Sequence, residues 1–192
     1  PATFHESTKL EFLWTIVPFA ILIGMAVPAT KTLIKMYDTS DSEIHIKITG
    51  YQWLWQYEYL NTDVSFYSKL STPYKEIYNQ KEKNINYLQE VDRKLVLPVN
   101  KKIRFLLTSN DVLHAWWVPD LALKKDAIPG FINEMAVVIK EPGIYRGRCA
   151  ELCGRHHGFM PIVIEAVEQD EYDKWLANGG KVESTDLAST EK

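Results

Sequence analysis

Residues 149–160 read Cys149-Ala150-Glu151-Leu152-Cys153-Gly154-Arg155-His156-His157-Gly158-Phe159-Met160. This stretch holds both cysteines of the chain, two of its five histidines and one of its four methionines. Thiolate, imidazole and thioether groups form a ligand set that suits copper or zinc. The residues before it, 142–148, and after it, 161–164, have the composition of short strands. The pattern therefore predicts a loop between two strands that presents metal ligands from a rigid scaffold.

Two other interpretations compete with a copper site. A disulfide between Cys149 and Cys153 suits an oxidising compartment, but it explains neither His157 nor Met160. A tetrahedral zinc site uses cysteine, histidine or carboxylate ligands, and thioether is not in that set. Methionine as a weak ligand beside cysteine and histidine favours copper. Composition alone favours copper and leaves the disulfide and the zinc site open.

The loop resembles the copper A loop of the cytochrome c oxidase subunit II family, whose pattern is C-x-E-x-C-x-x-x-H-x-x-M. All five positions of that pattern match. The family also has an upstream histidine in a D-V-L-H-x-W context, and the matching segment here is Asp111-Val112-Leu113-His114-Ala115-Trp116. Two distant segments that match together are a stronger signal than either alone.

The resemblance implies a binuclear copper A centre. Its residues in this chain are His114, Cys149, Glu151, Cys153, His157 and Met160. Two bridging thiolates share one electron between two metals, so electron transfer changes the geometry little. His114 and Met160 complete one copper, and His157 with the backbone carbonyl of Glu151 completes the other. The Glu151 carboxylate is implied to help hold a magnesium ion shared with subunit I, because a hard cation prefers oxygen ligands.

An aromatic run precedes these ligands. Glu43 to Thr49 and Tyr51 to Leu60 both alternate in the way that is typical of strands. The second run resembles the family's G-x-Q-W-x-W-x-Y-E-Y segment, in which the first tryptophan, here Trp53, lies near the copper and receives electrons from cytochrome c. An aromatic strand face packed in a β core is the alternative for this run.

Acidic residues are expected to attract the electron donor. Family members recruit the basic cytochrome c through acidic groups, which speed association by electrostatic steering. The candidates here are Glu58, Asp111 and Asp120, and a merely solvated carboxylate is the alternative for each. No C-x-x-C-H haem motif is present, so the donor is expected to be a separate protein.

The first part of the chain predicts a membrane helix. Phe12 to Thr30 carries no charge, and its roughly 19 residues would span about 28 Å as a helix. A signal peptide fits less well, because the apolar run is too long and charged residues flank both sides. Glu11 aligns with an acid that in the family lies at the mouth of a proton channel. A carboxylate favoured by the helix N-terminus is its alternative.

Short strands at regular spacing predict a mainly β fold. The family's version is a cupredoxin-like Greek-key β-barrel, here preceded by a transmembrane α-helix. Lys94 to Val99 and Lys102 to Thr108 predict a hairpin, and Glu168 to Asn178 predict a terminal helix.

We therefore expect four segments. They are a polar lead-in at 1–10, a transmembrane helix at 11–36, the copper A domain at 37–178 and a flexible tail at 179–192. Residues 61–93 are expected to form a polar surface insertion, with a short helix between Ile85 and Val91. The family has an earlier membrane helix, and its absence here implies a truncated product or a split gene. The family topology implies that Pro1 lies on the cytoplasmic side.

The net charge of −3 and the lack of a basic cluster exclude a nucleic-acid partner. The resemblance implies the electron-accepting subunit of cytochrome c oxidase. Copper A would take electrons from cytochrome c and pass them to the haem of subunit I, where oxygen reduction to water is coupled to proton pumping. The implied partners are subunit I, other subunits, cytochrome c and membrane lipid.

The implied location is a bacterial plasma membrane or the mitochondrial inner membrane, with the copper domain on the periplasmic or intermembrane side. Three rival functions fit less well. A quinol oxidase homologue would lack the thiolates, and a nitrous oxide reductase domain would lack the membrane helix. A membrane-tethered copper carrier would have no use for the face of Trp53.

Overall fold

The computed structural model describes residues 6–181. Residues 182–192, which make up most of the predicted tail, and residues 1–5 of the predicted lead-in lie outside the described part. The chain divides into two compact units on either side of the bond between Asp38 and Thr39.

The first unit is one long helix, α1, Thr8–Tyr37. It begins three residues before the predicted start at Glu11, so the end of the predicted lead-in is helical. Its 30 residues correspond to about 45 Å. Within residues 6–181 it is the one helix that is long and apolar enough to cross a membrane, and none of its side chains is buried. A helix that exposes apolar side chains all round matches a lipid environment.

The second unit contains ten strands and two short α-helices within its described residues. In chain order they are β1 Ile44–Tyr51, β2 Leu54–Tyr59, β3 Ser65–Ser68, α2 Tyr74–Ile77, β4 Leu95–Pro98, β5 Lys102–Ser109, β6 His114–Val118, β7 Leu123–Ala127, β8 Asn133–Val138, β9 Gly143–Cys149, β10 Pro161–Val167 and α3 Gln169–Ala177. The predicted strands at both ends of the cysteine loop and the predicted terminal helix are confirmed.

The strands form two five-stranded sheets. The first has the order β3-β2-β1-β5-β8, and the second has the order β4-β10-β9-β6-β7. The β1–β5 and β10–β4 pairs are parallel, and the other pairs are antiparallel. Both sheets are therefore mixed, and the hydrophobic core lies between them.

Period-two alternation sends apolar side chains into this core. In β5 the buried positions alternate with half-buried ones, so Ile103, Phe105 and Leu107 all point inward. Ile46 of β1 lies opposite Phe105 in the parallel register, and both are fully buried. A slip of one residue would turn these side chains to the outer face, so burial fixes the register.

The hairpin predicted around Asn100 and Lys101 is wrong. β4 lies beside β10 in the second sheet, whereas β5 lies between β1 and β8 in the first. All four residues of β4 are buried. A strand that is buried on both faces reads as a continuous apolar run, which is typical of parallel pairing rather than of a half-exposed hairpin.

The helix predicted between Ile85 and Val91 is also wrong. Separate turns occupy this part of the 61–93 segment, and Leu88 has a left-handed φ of 58° that interrupts a helix. The segment instead contains β3 and the single-turn helix α2. An ion pair between Glu90 and Arg146 of β9 ties it to the second sheet.

Candidate metal centre

The second sheet brings the predicted metal ligands together. His114 opens β6, and Cys149 ends the neighbouring strand β9. The two strands are in register, with Trp116 opposite Cys149. Cys153 and His157 follow on the loop that leads to β10, and Met160 immediately precedes that strand. Residues 35 or more positions apart in sequence thus meet at one end of the sheet.

The two cysteine sulfurs lie 3.9 Å apart, and both cysteines are free. A disulfide bond would need about 2.05 Å between them. Two thiolates that share a tetrahedral metal at about 2.3 Å from each sulfur are separated by about 3.8 Å. The spacing of Cys149 and Cys153 therefore matches a shared metal ion rather than the disulfide considered above.

Nitrogen and thioether donors flank this sulfur pair. His114 Nδ1 lies 3.8 Å from Cys149 Sγ, and His157 Nδ1 lies 3.4 Å from Cys153 Sγ. Met160 Sδ is 3.6 Å from Cys153 Sγ. On the other side, Cys149 Sγ lies 3.4 Å from the Glu151 carbonyl oxygen.

The donor set fits copper better than zinc, because a thioether sulfur lies among thiol and imidazole donors. The ligand atoms of His114, Cys149 and Cys153 all lie within 4.8 Å of one another, which makes these residues a candidate metal-binding group. His114 is fully buried, and both cysteines and Met160 are at most 3% exposed. A metal held by these side chains would be shielded from water.

The two thiols differ in acidity. Burial opposes ionisation of Cys149, but hydrogen bonds with His114 and with the backbone of Glu151 and Ala115 hold the pKa of the Cys149 thiol below its usual value. Burial and the neighbouring Cys149 together raise the pKa of Cys153 to about 12. Cys149 is therefore the more readily ionised of the two thiols, and a bound cation would favour ionisation of both.

Asp111 orients the imidazole of His114. Its Oδ1 lies 2.9 Å from His114 Nε2, so this nitrogen donates to the carboxylate and Nδ1 is left to face the sulfur. Burial acts against a charged imidazole, but Cys149 and Asp111 raise the pKa of His114 above its usual value. Sequence reasoning missed this role and assigned Asp111 to docking. The sequence feature that could have revealed this role is an acidic residue three positions before a proposed ligand histidine.

Trp53 contacts the cysteine loop directly. Its Nε1 donates a hydrogen bond to the Cys153 carbonyl oxygen at 3.1 Å. Its ring packs edge-on against His156, with 4.7 Å between ring centroids. Trp53 is half-buried and lies just before β2, whereas Trp55 is fully buried in the core. The aromatic run therefore splits between a core face and one tryptophan at the site.

The other predicted residues of the second unit, Glu58, Asp120 and the Glu151 carboxylate, lie outside the ligand cluster. Glu58 forms an ion pair with Lys47 at 2.8 Å on the first sheet. Asp120 lies on an exposed turn after β6, and the Glu151 side chain is exposed on the cysteine loop. Glu11 lies in the first turn of α1. Within the second unit, the structure thus brings together the ligands, Asp111 and Trp53, but not the side chains of Glu58, Asp120 and Glu151.

Gly50 provides room for a ligand. It lies in β1 opposite Trp55, and a Cβ at this position would come within 2.8 Å of His114 Cδ2. The first sheet thus approaches His114 closely enough that only a glycine fits. Sequence reasoning did not connect Gly50 with the metal site, because this contact is between strands of different sheets.

The fold and the site define a β domain of the cupredoxin-like class that follows an apolar helix and contains a buried cluster of thiol, imidazole and thioether groups, a candidate metal-binding site. Comparison with known proteins is more specific. The family described as cytochrome c oxidase subunit II, periplasmic domain, matches residues 44–167. The chain belongs to the cytochrome c oxidase subunit II family, and it is a subunit of an oxidase. The predicted family and fold class are confirmed.

Individual relatives agree with this assignment. Cytochrome c oxidase subunit 2 of Metridium senile is 46% identical over 176 residues, which cover 91% of this chain and 69% of the relative. The solved periplasmic domain of subunit II (CoxB) of Bradyrhizobium japonicum is 37% identical with a TM-score of 0.65, over 74% of this chain and 97% of that domain.

A second solved structure of a related protein contains a partner. It is the mixed disulfide intermediate between a thioredoxin-like protein, TlpAs, and the corresponding domain of a cytochrome c oxidase subunit II. This domain is 35% identical with a TM-score of 0.61, over 74% of this chain and 94% of the solved chain.

Proposed function

We propose that this chain holds a binuclear copper A centre and is the electron-accepting subunit of a cytochrome c oxidase. One observation carries the proposal. The two cysteine sulfurs lie 3.9 Å apart, and each has its own histidine Nδ1 within 3.8 Å. Two sulfurs with an imidazole on each side form two half-sites that share the same pair of bridging atoms. A single tetrahedral metal would use only the two cysteines and two histidines, whereas the Met160 thioether and the Glu151 carbonyl oxygen lie at 3.6 and 3.4 Å from the sulfurs and supply the further donors that a second metal needs.

The ligands of this centre would be those named from the resemblance. His114 and Met160 would complete one copper, and His157 with the Glu151 carbonyl would complete the other. When bound, the centre supplies reversible one-electron chemistry with the charge shared over two metals. The protein shields the site from water by burying both cysteines. It also fixes the ring orientation of His114 through Asp111.

We assign the acceptance of electrons from cytochrome c to Trp53. The hydrogen bond from its indole N–H to the Cys153 carbonyl gives a short bonded route from the surface to a ligand residue. Glu58, Asp111 and Asp120 remain the proposed docking acids. Of these, Glu58 is partly neutralised by Lys47, and Asp111 is engaged with His114, so we expect Asp120 to contribute most to steering.

Electrons would leave toward the haem of subunit I, where oxygen is reduced to water with proton pumping. The exposed carboxylate of Glu151 is proposed to share a magnesium ion with that subunit. Leu152 next to it is 79% exposed, as expected of a side chain that packs against a partner. Glu11 is proposed to collect protons at the membrane surface, and the domain would face the periplasm or the intermembrane space.

A thioredoxin-like reductant is a second proposed partner. The two cysteines must be reduced before they can bind metal, and a related domain forms a mixed disulfide with such a protein. An oxidised Cys149–Cys153 pair would be attacked by the thiolate of the reductant. The second thiol of the reductant would then displace the mixed disulfide, which leaves two thiols on this chain and a disulfide on the reductant.

The deciding experiment uses the full chain purified in detergent and loaded with copper. Metal analysis should give two coppers per chain, and electron paramagnetic resonance should give a multi-line hyperfine pattern from a mixed-valence pair. The Cys149→Ser variant is the control, because it removes one bridge. One copper per chain, or the four-line pattern of a single copper, would overturn the proposal.

A further inference from the structure

Gln52 is hydrogen-bonded to two separate segments that carry proposed metal ligands. Its backbone N–H donates to Asp111 Oδ2 at 2.7 Å, and its side-chain amide donates to the Cys153 carbonyl oxygen at 2.9 Å. We propose that Gln52 is a positioning residue that holds the Asp111–His114 pair and the Cys153 backbone in a fixed relative position. The proposal rests on the proposed copper function and adds a residue that controls the geometry of that same site.

The hydrogen bond from the Gln52 backbone to Asp111 affects the position of His114. Asp111 receives the Gln52 backbone N–H on one carboxylate oxygen and lies 2.9 Å from His114 Nε2 with the other. A backbone N–H from Val112 also donates to Asp111 Oδ1 at 2.7 Å. The carboxylate is therefore held on both oxygens, and the orientation of the histidine ring follows from its position.

The second contact leads to Cys153. This cysteine lies on a loop, outside the strands that hold Cys149 and His114. Its carbonyl oxygen accepts the Gln52 side-chain amide at 2.9 Å and the Trp53 indole N–H at 3.1 Å. Both donors belong to the connection between β1 and β2, so the first sheet holds a loop that extends from the second.

The next loop residue confirms how closely the two segments approach. Gly154 has a φ of 114°, and a Cβ there would lie 3.2 Å from the Gln52 Nε2 and 3.1 Å from a ring carbon of Trp53. The loop backbone thus lies directly against Gln52 and Trp53 without an intervening side chain. A short and crowded contact of this kind transmits a displacement of Gln52 to Cys153.

The chain offers a matched control for this contact. Gln56 lies in β2, where its amide nitrogen is 3.5 Å from Ser65 Oγ and its amide oxygen accepts a hydrogen bond from the Tyr51 hydroxyl at 3.0 Å, away from the ligands. The test compares Gln52→Ala and Gln52→Glu with Gln56→Ala and Gln56→Glu in the full chain in detergent. Alanine removes the amide donor, and glutamate keeps the shape but replaces the donor with an acceptor. In all four variants the backbone N–H groups remain.

The first measurement uses the metal-free, reduced chain. A maleimide modifies Cys153 when the loop opens, and peptide mapping gives the labelling rate at that residue. We expect Gln52→Ala to raise this rate about 2- to 12-fold, which corresponds to the loss of one hydrogen bond. Gln56→Ala should leave it unchanged. Equal labelling rates of Cys153 in Gln52→Ala and Gln56→Ala would contradict the positioning role of Gln52. This test does not depend on copper binding.

The second measurement uses the copper-loaded chain. Loss of an outer partner of a metal ligand typically lowers metal affinity about 10- to 100-fold. We expect Gln52→Ala and Gln52→Glu to release copper to a chelator faster by a similar factor and to alter the hyperfine pattern of the loaded centre. Release rates and spectra equal to those of the Gln56 variants would overturn the proposal that Gln52 controls the geometry of the metal site. A wild-type chain without two coppers would instead refute the proposed function.

Discussion

The carboxylate of Asp111 and the imidazole of His114 face each other at 2.9 Å, at one end of the second sheet. The opposite nitrogen of the ring points at Cys149 Sγ, 3.8 Å away. The acid therefore sets both the tautomer and the direction of a proposed copper ligand. The same acid had been expected from the sequence to attract a protein partner.

Asp111→Asn tests this role. Asparagine has the same shape, but its amide nitrogen is a donor and its neutral oxygen holds the His114 N–H less firmly. We expect copper affinity to fall about 10- to 100-fold. Competition with a chelator measures it. Asp120→Asn removes the same charge from an exposed turn and should leave affinity unchanged. If both variants lose affinity equally, net charge rather than orientation explains the effect.

Met160→Leu separates the chemistry of the thioether from its volume. Met160 is almost completely buried, and leucine has a similar size, so the free energy of unfolding should change by less than about 1.5 kcal/mol. The copper should stay bound, but its reduction potential should shift on the order of 59 mV, a tenfold change in a one-electron equilibrium, and electron transfer should slow.

Redox titration of the loaded chain measures that shift. Met135→Leu is the matched control, because Met135 is buried in β8 away from the ligands. An unchanged potential and electron flux in Met160→Leu would remove Met160 from the ligand set.

Gly50→Ala tests the space beside His114. The added methyl would lie 2.8 Å from His114 Cδ2 and 3.2 Å from a ring carbon of Trp55, so overpacking should lower the free energy of unfolding by about 1–3 kcal/mol. Chemical unfolding followed by tryptophan fluorescence measures it. Gly158→Ala has open space around its Cβ and should be nearly neutral in stability. Equal stability of the two variants would contradict the close approach at Gly50.

Trp53→Phe tests the proposed electron route in the assembled oxidase. Phenylalanine keeps an aromatic ring beside His156 but loses the N–H that donates to the Cys153 carbonyl. We expect electron transfer from reduced cytochrome c to slow by about 10-fold or more in stopped-flow measurements. Trp117→Phe changes a partly exposed tryptophan on β6 and should have little effect. Wild-type rates in Trp53→Phe would exclude this route.

We expect the Glu134→Gln substitution to lower the stability of the domain in a pH-dependent way. Hydrogen bonding to Arg104 lowers the pKa of Glu134 below its usual 4.5, so the stabilisation is present above that pH and disappears as the pH falls through the lowered pKa. The pair is partly exposed, so we expect at most about 1 kcal/mol at pH 7.

Chemical unfolding of the Glu134→Gln variant and of the wild type, at pH 7 and in strong acid, measures the difference in the free energy of unfolding. It should vanish in strong acid. Glu141→Gln, an acid outside this pair, should show no such trend. A difference that persists in strong acid would show that Glu134 acts through packing rather than through its charge.

The sequence could predict that the proposed ligands converge, because the cysteine loop has fixed spacings and a second motif at His114 supports it. Strands such as β5 could be predicted because one face is buried and the alternation is regular. The β4–β5 hairpin failed because chain neighbours were assumed to pair, whereas β4 is buried on both faces and belongs to the other sheet. Local pattern does not say which sheet a buried strand joins.

The contacts of Gln52 and Gly50 could not be predicted for a related reason. Gly50 lies near the end of β1 and Gln52 directly follows that strand, whereas their partners His114 and Cys153 are far away in sequence. Such contacts depend on how two sheets face each other, which no spacing within one segment records. The carbonyl of Cys153 as an acceptor is also invisible in sequence, because every residue carries one.

The pairing of β6 with β9 has a consequence for how metal supply affects the domain. His114 and Cys149 are neighbours only when these strands are joined, so an unfolded chain lacks the assembled ligand set. By mass action, a ligand that binds only the folded state stabilises it by about 1.4 kcal/mol for each tenfold rise in free metal above the dissociation constant. At the proposed copper site, a higher concentration of free copper would thus raise the resistance of the domain to heat and proteolysis.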